Sequence, residues 1–219
     1  NAGRWATFCT DYCQRLGIAC RVAHVEVARD SGLGIEAAAR ATRYQAFSGM
    51  AAGTLLLGHH RGDQAETVLF NLLRGCGVVG AAAIPVARQH GRLRILRPLL
   101  DVSRQEIAAY ARQHQLAWVD DESNDDSTLA RNFLRHEVLT ALVGRFPAGE
   151  KNLAQAARHF AEADALLGEL ALLDWQAVAD GDTLTLAKVR ALSLPRLKNL
   201  LRHRLRQLGW RAPAAARLD

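Results

Sequence analysis

The chain has 219 residues, of which 49% are hydrophobic and 23% charged, and this composition is typical of a globular protein rather than a disordered one. No apolar run approaches the ~18 residues that a transmembrane helix needs, so we expect no membrane span. The formal net charge of +6 is carried mainly by arginine. Arginine's planar donors suit phosphate, which fits a polyanionic partner, although composition alone slightly favours the alternative of an arginine-rich genome with a solvated surface.

The N-terminal residues 1–13 lack the cationic flank and apolar core of a signal peptide. The sequence has no initiator methionine and opens inside a predicted helix, so we interpret it as part of a longer protein. Its four cysteines form no C-x-x-C pair, and Cys9 and Cys13 have the spacing of core residues on a helix. We therefore expect neither zinc nor disulfides, and a reducing, cytoplasmic setting.

Short apolar runs alternate with stretches of helical periodicity in the first part of the chain. This rhythm predicts an α/β fold with a doubly wound parallel sheet, in which ligands bind beyond the carboxyl ends of the strands. Gly75 and Gly77 are a helix-stop signature, and Ser103 with Glu106 predicts a capping box. The predicted elements are helix 5–16, strand 20–27, helix 34–52, strand 53–60 (buried on both faces), helix 63–74, strand 92–100 and helix 101–115.

The pattern changes from about residue 117, where polar and acidic residues precede a basic helix. A long helix is predicted over 151–179, followed within 182–210 by a short strand and a basic amphipathic helix. We place a domain boundary near residue 145. The prediction is an α/β domain over 1–145 and an all-α region over 146–219.

Polar residues crowd the end of strand 53–60, in the sequence GHHRGDQAETVLF. His59, His60 and Asp63 have the donor types of a metal site, but adjacent strand residues point to opposite faces, which argues against structural zinc. Asp63 at a helix start is suited to hold Mg²⁺ on a nucleotide, because that ion prefers carboxylate oxygens. The alternative, weighted equally, is that Asp63 is an N-cap whose capping box is completed by Glu66.

Two further stretches have a phosphate-binding interpretation. In LLRGCG, Gly75 and Gly77 let backbone N–H groups approach an anion and Arg74 adds charge, although a plain helix C-cap is favoured without further context. Arg131 and Arg135 are four residues apart, so they share one helix face and direct two guanidinium groups at one target, such as an RNA backbone or nucleotide phosphate. Pairing of Arg131 with acidic neighbours is the alternative.

Together these stretches resemble the tRNA(Ile)-lysidine synthetases, members of the N-type ATP-pyrophosphatase superfamily. GHHRGDQAETVLFNLLRGCGVVG is similar to their A-H-H-x-D-D-Q-A-E-T…L-x-R-G-x-G signature, and GIEAAARATRY to their G-x-E-x-x-A-R-x-x-R-Y helix. Segment 97–139 resembles their R-P-L-L…D-P-S-N-x-D…R-N-x-x-R region, and segment 194–209 the start of their middle, tRNA-contacting domain. The motifs keep one order over nearly the whole chain, which makes the likeness specific.

The resemblance implies an adenine nucleotide alpha hydrolase-like fold and an ATP-dependent ligase. In that reaction ATP adenylates the C2 oxygen of the wobble cytidine in a CAU-anticodon isoleucine tRNA and releases pyrophosphate. The amino group of free L-lysine then displaces AMP and leaves lysidine. The implied cofactors are ATP and Mg²⁺, and Mg²⁺ together with hydrogen-bond donors offsets the phosphate charge as it shifts. No membrane partner is implied, and a homodimer is left open.

The resemblance also assigns residues by position. His59 and Asp63 are implied to be catalytic, with Asp63 as the Mg²⁺ ligand. The implied ATP-binding residues are His59, Asp63, Arg74, Gly75 and Gly77. The implied substrate and tRNA contacts are Glu66, Thr67, Arg97, Asn124, Asp126, Arg131, Asn132 and Arg135.

Three departures from the family pattern limit the expectation. The Ser-Gly-Gly-x-Asp-Ser pyrophosphate loop is expected upstream of Asn1, and the family's C-terminal domain is also not in this sequence, so we expect the chain alone to be inactive. Gly62 replaces the first Asp of the family's D-D pair, and Glu122 replaces a Pro. Two alternatives stay open: a tRNA thiolase of the same superfamily, which the missing C-x-x-C pair disfavours, and a non-catalytic tRNA- or nucleotide-binding module.

Overall fold

The structure of the chain is a computed structural model, which describes residues 2–27, 34–50, 53–120 and 130–210. Its helices are α1 (Ala2–Arg15), α2 (Ile35–Ser48), α3 (Arg61–Leu73), α4 (Val78–Ala81), α5 (Arg104–Gln113), α6 (Ala130–Phe133), α7 (Thr140–Arg145), α8 (Gly149–Val178), α9 (Leu186–Val189) and α10 (Leu194–Gln207), with a π-helical segment (Leu134–Leu139) between α6 and α7. Its strands are β1 (Thr54–Leu56), β2 (Ala87–His90), β3 (Leu93–Leu96), β4 (Ala179–Asp180) and β5 (Thr183–Leu184).

A mixed three-stranded sheet of order β1-β3-β2 forms the frame of the first half of the chain. β1 runs parallel to β3 with Leu55 opposite Ile95, and β2 pairs antiparallel with β3 as a hairpin. The side chains of Leu93 and Ile95 in the central strand are 3% and 0% exposed, because alternate residues of β3 point to the same, covered face. The parallel β1–β3 pair confirms the α/β fold class; the antiparallel strand β2 was not expected.

Two strand predictions need correction. Residues 20–27 form no strand within the described ranges; Val22 and Val25 are 45% and 47% exposed, and no neighbouring strand pairs with this segment. Strand 53–60 shortens to β1 and is not buried on both faces, since Leu56 is 64% exposed. The reason is that β1 lies at the edge of the sheet, where apolar composition alone does not guarantee cover.

The helix predictions hold better than the strand predictions. α5 begins with the predicted capping box: Ser103 Oγ accepts the Glu106 backbone N–H at 3.1 Å, and the Glu106 carboxylate accepts the Ser103 N–H at 2.8 Å. α8 matches the predicted long helix, and α10 the basic amphipathic one, with Pro195 in its first turn. α1 buries none of its residues, so the core spacing of Cys9 and Cys13 does not place them in a core; all four cysteines are free.

The chain divides into two compact units, Asn1–Glu66 with Pro85–Lys151, and Thr67–Ile84 with Asn152–Asp219. In the second unit Ala171, Val178 and Leu200 form a small buried core. The same unit contains the β4–β5 hairpin, so the region after residue 145 is not all helical. The boundary near residue 145 itself stays a prediction. No helix within the described ranges combines the length and apolar character required to cross a bilayer.

We expect Ile95→Ala to lower the free energy of unfolding by about 3 kcal/mol, because it removes a wholly buried side chain from the central strand and leaves a cavity. Leu56→Ala, on the exposed edge strand β1, is the matched control and is expected to cost less than about 1 kcal/mol. Urea unfolding monitored by circular dichroism measures both. Equal losses for the two variants would contradict the observed strand order.

Candidate functional site

The start of α3 is held by a reciprocal cap between a histidine and an aspartate. Strand β1 continues through Leu57, whose N–H donates to the Leu96 carbonyl at 2.9 Å, and delivers the chain to His60. The His60 ring Nδ1 accepts the Gly62 N–H at 3.0 Å, and the Asp63 carboxylate accepts the His60 backbone N–H at 2.9 Å. His60 is therefore the N-cap, and the expectation that Asp63 is the N-cap with Glu66 completing the box is wrong.

Gly62 gives the His60 ring the room it needs. A Cβ at position 62 would lie 2.8 Å from Cε1 and 3.1 Å from Nδ1 of that ring, which is closer than real contacts allow. An aspartate at this position, as in the family pattern, requires the ring to move. The histidine cap therefore depends on the glycine at position 62. Asp63 is the acidic side chain in the first turn of α3.

One turn further along α3, Glu66 is joined to Arg135 by a two-point ion pair. Arg135 Nε donates to one carboxylate oxygen at 2.6 Å and a terminal nitrogen to the other at 3.0 Å. The Glu66 side chain is only 3% exposed, and donating hydrogen bonds to this carboxylate raises the pKa of Arg135 above its usual value. The same terminal nitrogen lies 3.4 Å from Asp63 Oδ1, so one guanidinium faces both carboxylates of the helix.

The π-helical segment is what carries Arg135. It is anchored by Leu134 and Leu139, which are buried at 3% and 8% exposure. A π turn spaces its hydrogen bonds by five residues instead of four, and such turns are frequent at functional sites. That Arg131 and Arg135 address one phosphate target stays a prediction: Arg135 contacts Asp63 and Glu66, and the charge of Arg131 acts on His59. Arg135 makes no intrahelical pair with an acid within the described residues.

His59 lies half-buried among positive charges. Burial lowers the pKa of its imidazole below the usual value; Asp63 opposes this, and the charges of Arg97, Arg40 and Arg131 add to the lowering. The ring is therefore neutral at physiological pH. Its buried Nδ1 has no hydrogen-bond partner among the described residues, and an orphaned buried polar atom surrounded by cations is a natural contact point for an anion or its water shell.

Arg97 is placed differently from the other predicted substrate residues. Arg97 is 2% exposed and donates to the Pro85 carbonyl at 2.6 Å; burial lowers the pKa of its guanidinium, and the nearby Tyr44 side chain opposes this. Arg40 and Arg88 lie over the ring of Tyr44 at 5.5 and 5.3 Å from its centroid. Sequence reasoning missed this cluster, although the pattern R-x-x-x-Y on α2 places Arg40 one turn before Tyr44. The substrate role of Arg97 stays a prediction.

The remaining predicted residues fall outside this cluster of contacts or outside the described ranges. Gly75 has φ +70° and the Cys76 N–H bonds to the Asn71 carbonyl at 3.1 Å, which is the hydrogen-bond pattern of a Schellman C-cap. Arg74 lies 5.0 Å from the Phe70 ring centroid, and Gly77 precedes α4.

Four of the predicted site residues belong to the second unit: Thr67, Arg74, Gly75 and Gly77. Asn132 is buried in the first unit. Asn124 and Asp126 lie in 121–129, outside the described residues.

A cavity of about 280 Å³ opens beside the ion pair. Its lining includes His60, Glu66, Arg135, Thr140 and Glu150, so acidic and basic groups face the same space. Within the described ranges no group of three or more His, Cys, Asp or Glu side chains is arranged to hold a metal. Asp63 alone supplies an oxygen ligand on the first turn of α3, which fits an ion such as Mg²⁺ that takes one or two carboxylates together with phosphate oxygens.

Comparison with known proteins identifies the family of this chain and several similar proteins. Residues 1–142 match the family model described as a PP-loop domain. The chain is 48% identical over its whole length to the tRNA(Ile)-lysidine synthase of Aromatoleum aromaticum, 47% to that of Ralstonia nicotianae and 41% to that of Nitrosomonas europaea. It spans 51%, 48% and 48% of those proteins, about half their length.

Among solved structures, the fold is similar to a U34-tRNA thiolase from Methanococcus maripaludis that contains a [4Fe–4S] cluster. The TM-score is 0.53 at 15% sequence identity, and the match covers 72% of this chain and 56% of the thiolase, so the likeness concerns the fold alone. The family match covers the sheet, α3 and the Glu66–Arg135 pair. The chain therefore belongs to the PP-loop domain family.

Proposed function

We propose that the protein carrying this chain ligates L-lysine to C2 of the wobble cytidine of an isoleucine tRNA with a CAU anticodon, using ATP. The observation that carries the proposal is the buried Glu66–Arg135 pair beside a cavity, in a chain 48% identical to a tRNA(Ile)-lysidine synthase. We also propose a cytoplasmic setting for the reaction, in keeping with four free cysteines and a reducing compartment. A homodimer stays an open possibility for the proposed enzyme.

A carboxylate and a guanidinium facing one cavity are complementary to a free amino acid. Glu66 is suited to bind an ammonium group and Arg135 a carboxylate, each by charge-assisted hydrogen bonds. When such a ligand binds, the Arg135–Glu66 hydrogen bonds are replaced by Glu66–ammonium and Arg135–carboxylate hydrogen bonds, so little charge is left unpaired. We therefore assign lysine recognition to this pair, with Thr67, Asn124, Asp126, Arg131 and Asn132 as further proposed contacts to lysine or tRNA.

The nucleotide is proposed to lie at the start of α3, beside His59 and Asp63. The neutral imidazole offers its unpartnered Nδ1 to the ligand, while the cations that act on His59 attract phosphate. Asp63 would hold Mg²⁺, which when bound neutralises charge on the phosphates. Arg74, Gly75 and Gly77 stay proposed phosphate contacts, and Gly75 also serves as a C-cap.

The direct test supplies the complete protein with CAU-anticodon isoleucine tRNA, ATP and labelled lysine. Transfer of label to the tRNA, with one AMP released per lysine, is expected. Salt-dependent tRNA binding without transfer would instead favour a non-catalytic module. Sulfur incorporation with a bound iron–sulfur cluster would favour the thiolase alternative, which has only the fold likeness behind it.

We expect Glu66→Gln to lower kcat/KM for lysine by about 100-fold, since a neutral amide cannot balance an ammonium group and leaves Arg135 with a weakened partner. Glu106→Gln is the control: this carboxylate also contacts an arginine, Arg61, but is 63% exposed. Its lysine kinetics should stay within about twofold of the parent. Equal loss in both variants would show that the effect is general destabilisation.

Asp63→Asn is expected to raise the Mg²⁺ concentration needed for half-maximal adenylation by about tenfold or more, because an amide is a much weaker ligand for a hard cation. ATP–pyrophosphate exchange measured without lysine isolates this step. Asp180→Asn, at an exposed acid of the second unit, should leave the Mg²⁺ dependence unchanged. A Mg²⁺ curve that does not move in Asp63→Asn would refute the ligand assignment.

ATP binding should be linked to proton uptake at His59. Burial and neighbouring cations hold its pKa below about 6.5, and a bound phosphate, being negative, should raise it. The protein–ATP complex then binds more protons than the free protein, so ATP affinity should increase as the pH falls from about 8 to 6. Comparing calorimetric titrations of the parent and His59→Asn removes the contribution of ATP's own ionisation; identical pH dependence would contradict the prediction.

A further inference from the structure

A second, larger cavity lies along α5 and includes the N-cap residue Ser103 in its lining. Its volume is about 550 Å³, and all the residues that line it belong to the first compact unit. They come mainly from α5, from α7 and from the start of α8. No residue assigned to lysine, nucleotide or metal lines this cavity.

The charge of this cavity is strongly one-sided. Four cations line it, Arg61, Arg104, Arg112 and Lys151, against the single acid Glu150. Arg61 already forms two ion pairs, since its Nε donates to Glu150 at 3.1 Å and a terminal nitrogen lies 3.4 Å from Glu106. Glu150 is thereby neutralised, and the other three cations form no ion pair in the part of the chain that the structure describes.

Helical spacing aligns two of these cations. Arg104, Ala108 and Arg112 follow each other at intervals of four residues, so they share one face of α5 over about 12 Å. Ala108 between them is small and leaves the space that the cavity occupies, while Lys151 lines it from α8. A row of exposed, unpaired cations along a groove is the arrangement that follows a polyanionic backbone rather than one that encloses a single small anion.

The basic cavity adjoins the cavity of the candidate site. Arg104, Val143 and Glu150 line both. An RNA strand with one nucleotide beside the Glu66–Arg135 pair can therefore continue past Arg104 into the basic cavity. Resting on the proposed function, we propose that Arg104, Arg112 and Lys151 bind the backbone phosphates of the single-stranded nucleotides next to the cytidine that is modified.

The test measures binding of a CAU anticodon stem-loop RNA to the complete protein by fluorescence anisotropy at several salt concentrations. The main variant is Arg112→Gln with Lys151→Gln, because these two residues line only the basic cavity. We expect RNA affinity to fall roughly three- to tenfold per removed cation at low salt, and the slope of log K against log salt to drop by about one for each. The KM values for ATP and lysine should not change.

Arg4→Gln with Arg15→Gln, which removes two exposed arginines of α1, is the matched control for net charge and should change neither affinity nor slope by more than a small fraction of the main variant's effect. All substituted side chains are exposed, and melting curves verify that the variants fold. Arg104→Gln is tested separately, since it lines both cavities and should affect RNA affinity and the KM for lysine together.

Unchanged RNA affinity and salt slope in the double variant would overturn the inference. A second result would also overturn it: the double variant binds RNA as tightly as the parent but its activity is no longer inhibited by inorganic pyrophosphate. The basic cavity would then hold a small anion and not the RNA backbone. If the parent protein transfers no lysine while RNA affinity still depends on Arg112 and Lys151, the proposed function fails and this inference stands. If the parent transfers lysine while RNA binding is insensitive to both residues, this inference fails and the proposed function stands.

Discussion

The contact on which the site depends is the ion pair between Glu66 and Arg135. It joins the second turn of α3 to the π-helical segment, two pieces of chain that are 69 residues apart in sequence. With Glu66 3% exposed, loss of Arg135 would leave a buried, uncompensated charge, at a cost on the order of 3 kcal/mol. Burial of an ion pair costs desolvation free energy, so such a pair is retained only where other interactions or a function offset that cost. Here the offset is the two-point geometry and, in our proposal, recognition of a zwitterionic substrate.

Elements with a local physical signature were predictable from the sequence. The capping box at Ser103 and the stop at Gly75 depend on side chains and backbone angles within a few residues, and both are present. Long amphipathic periodicity located α8 and α10 to within a few residues. The polar cluster after β1 is also the basis for proposing His59 and Asp63 as site residues, because the edge formed by strand ends is a general ligand site in α/β folds.

Features that depend on distant partners were not predictable. The apolar run that ends in β1 gave no sign that this strand lies at the edge of the sheet, and segment 20–27 has strand composition without a neighbour to pair with. The capping role of His60 depends on the absence of a Cβ at Gly62. The two residues are so close in sequence that hydrophobic periodicity carries no information about their contact. That Arg135 meets Glu66 follows from tertiary packing and a π turn, neither of which has a reliable single-sequence signal.

The π-helical segment also constrains how the sequence can change over time. A loop tolerates gain or loss of a residue, but in a helix each added or deleted residue rotates the remaining turns by about 100°. Deleting one residue within 134–139 would restore ordinary α-helical hydrogen bonding and at the same time rotate α7 and the start of α8 relative to α6. Both Arg135 and Glu150, which line the cavity of the candidate site, lie within or after that point. Length variation in this protein should therefore accumulate on either side of the segment and spare the segment itself.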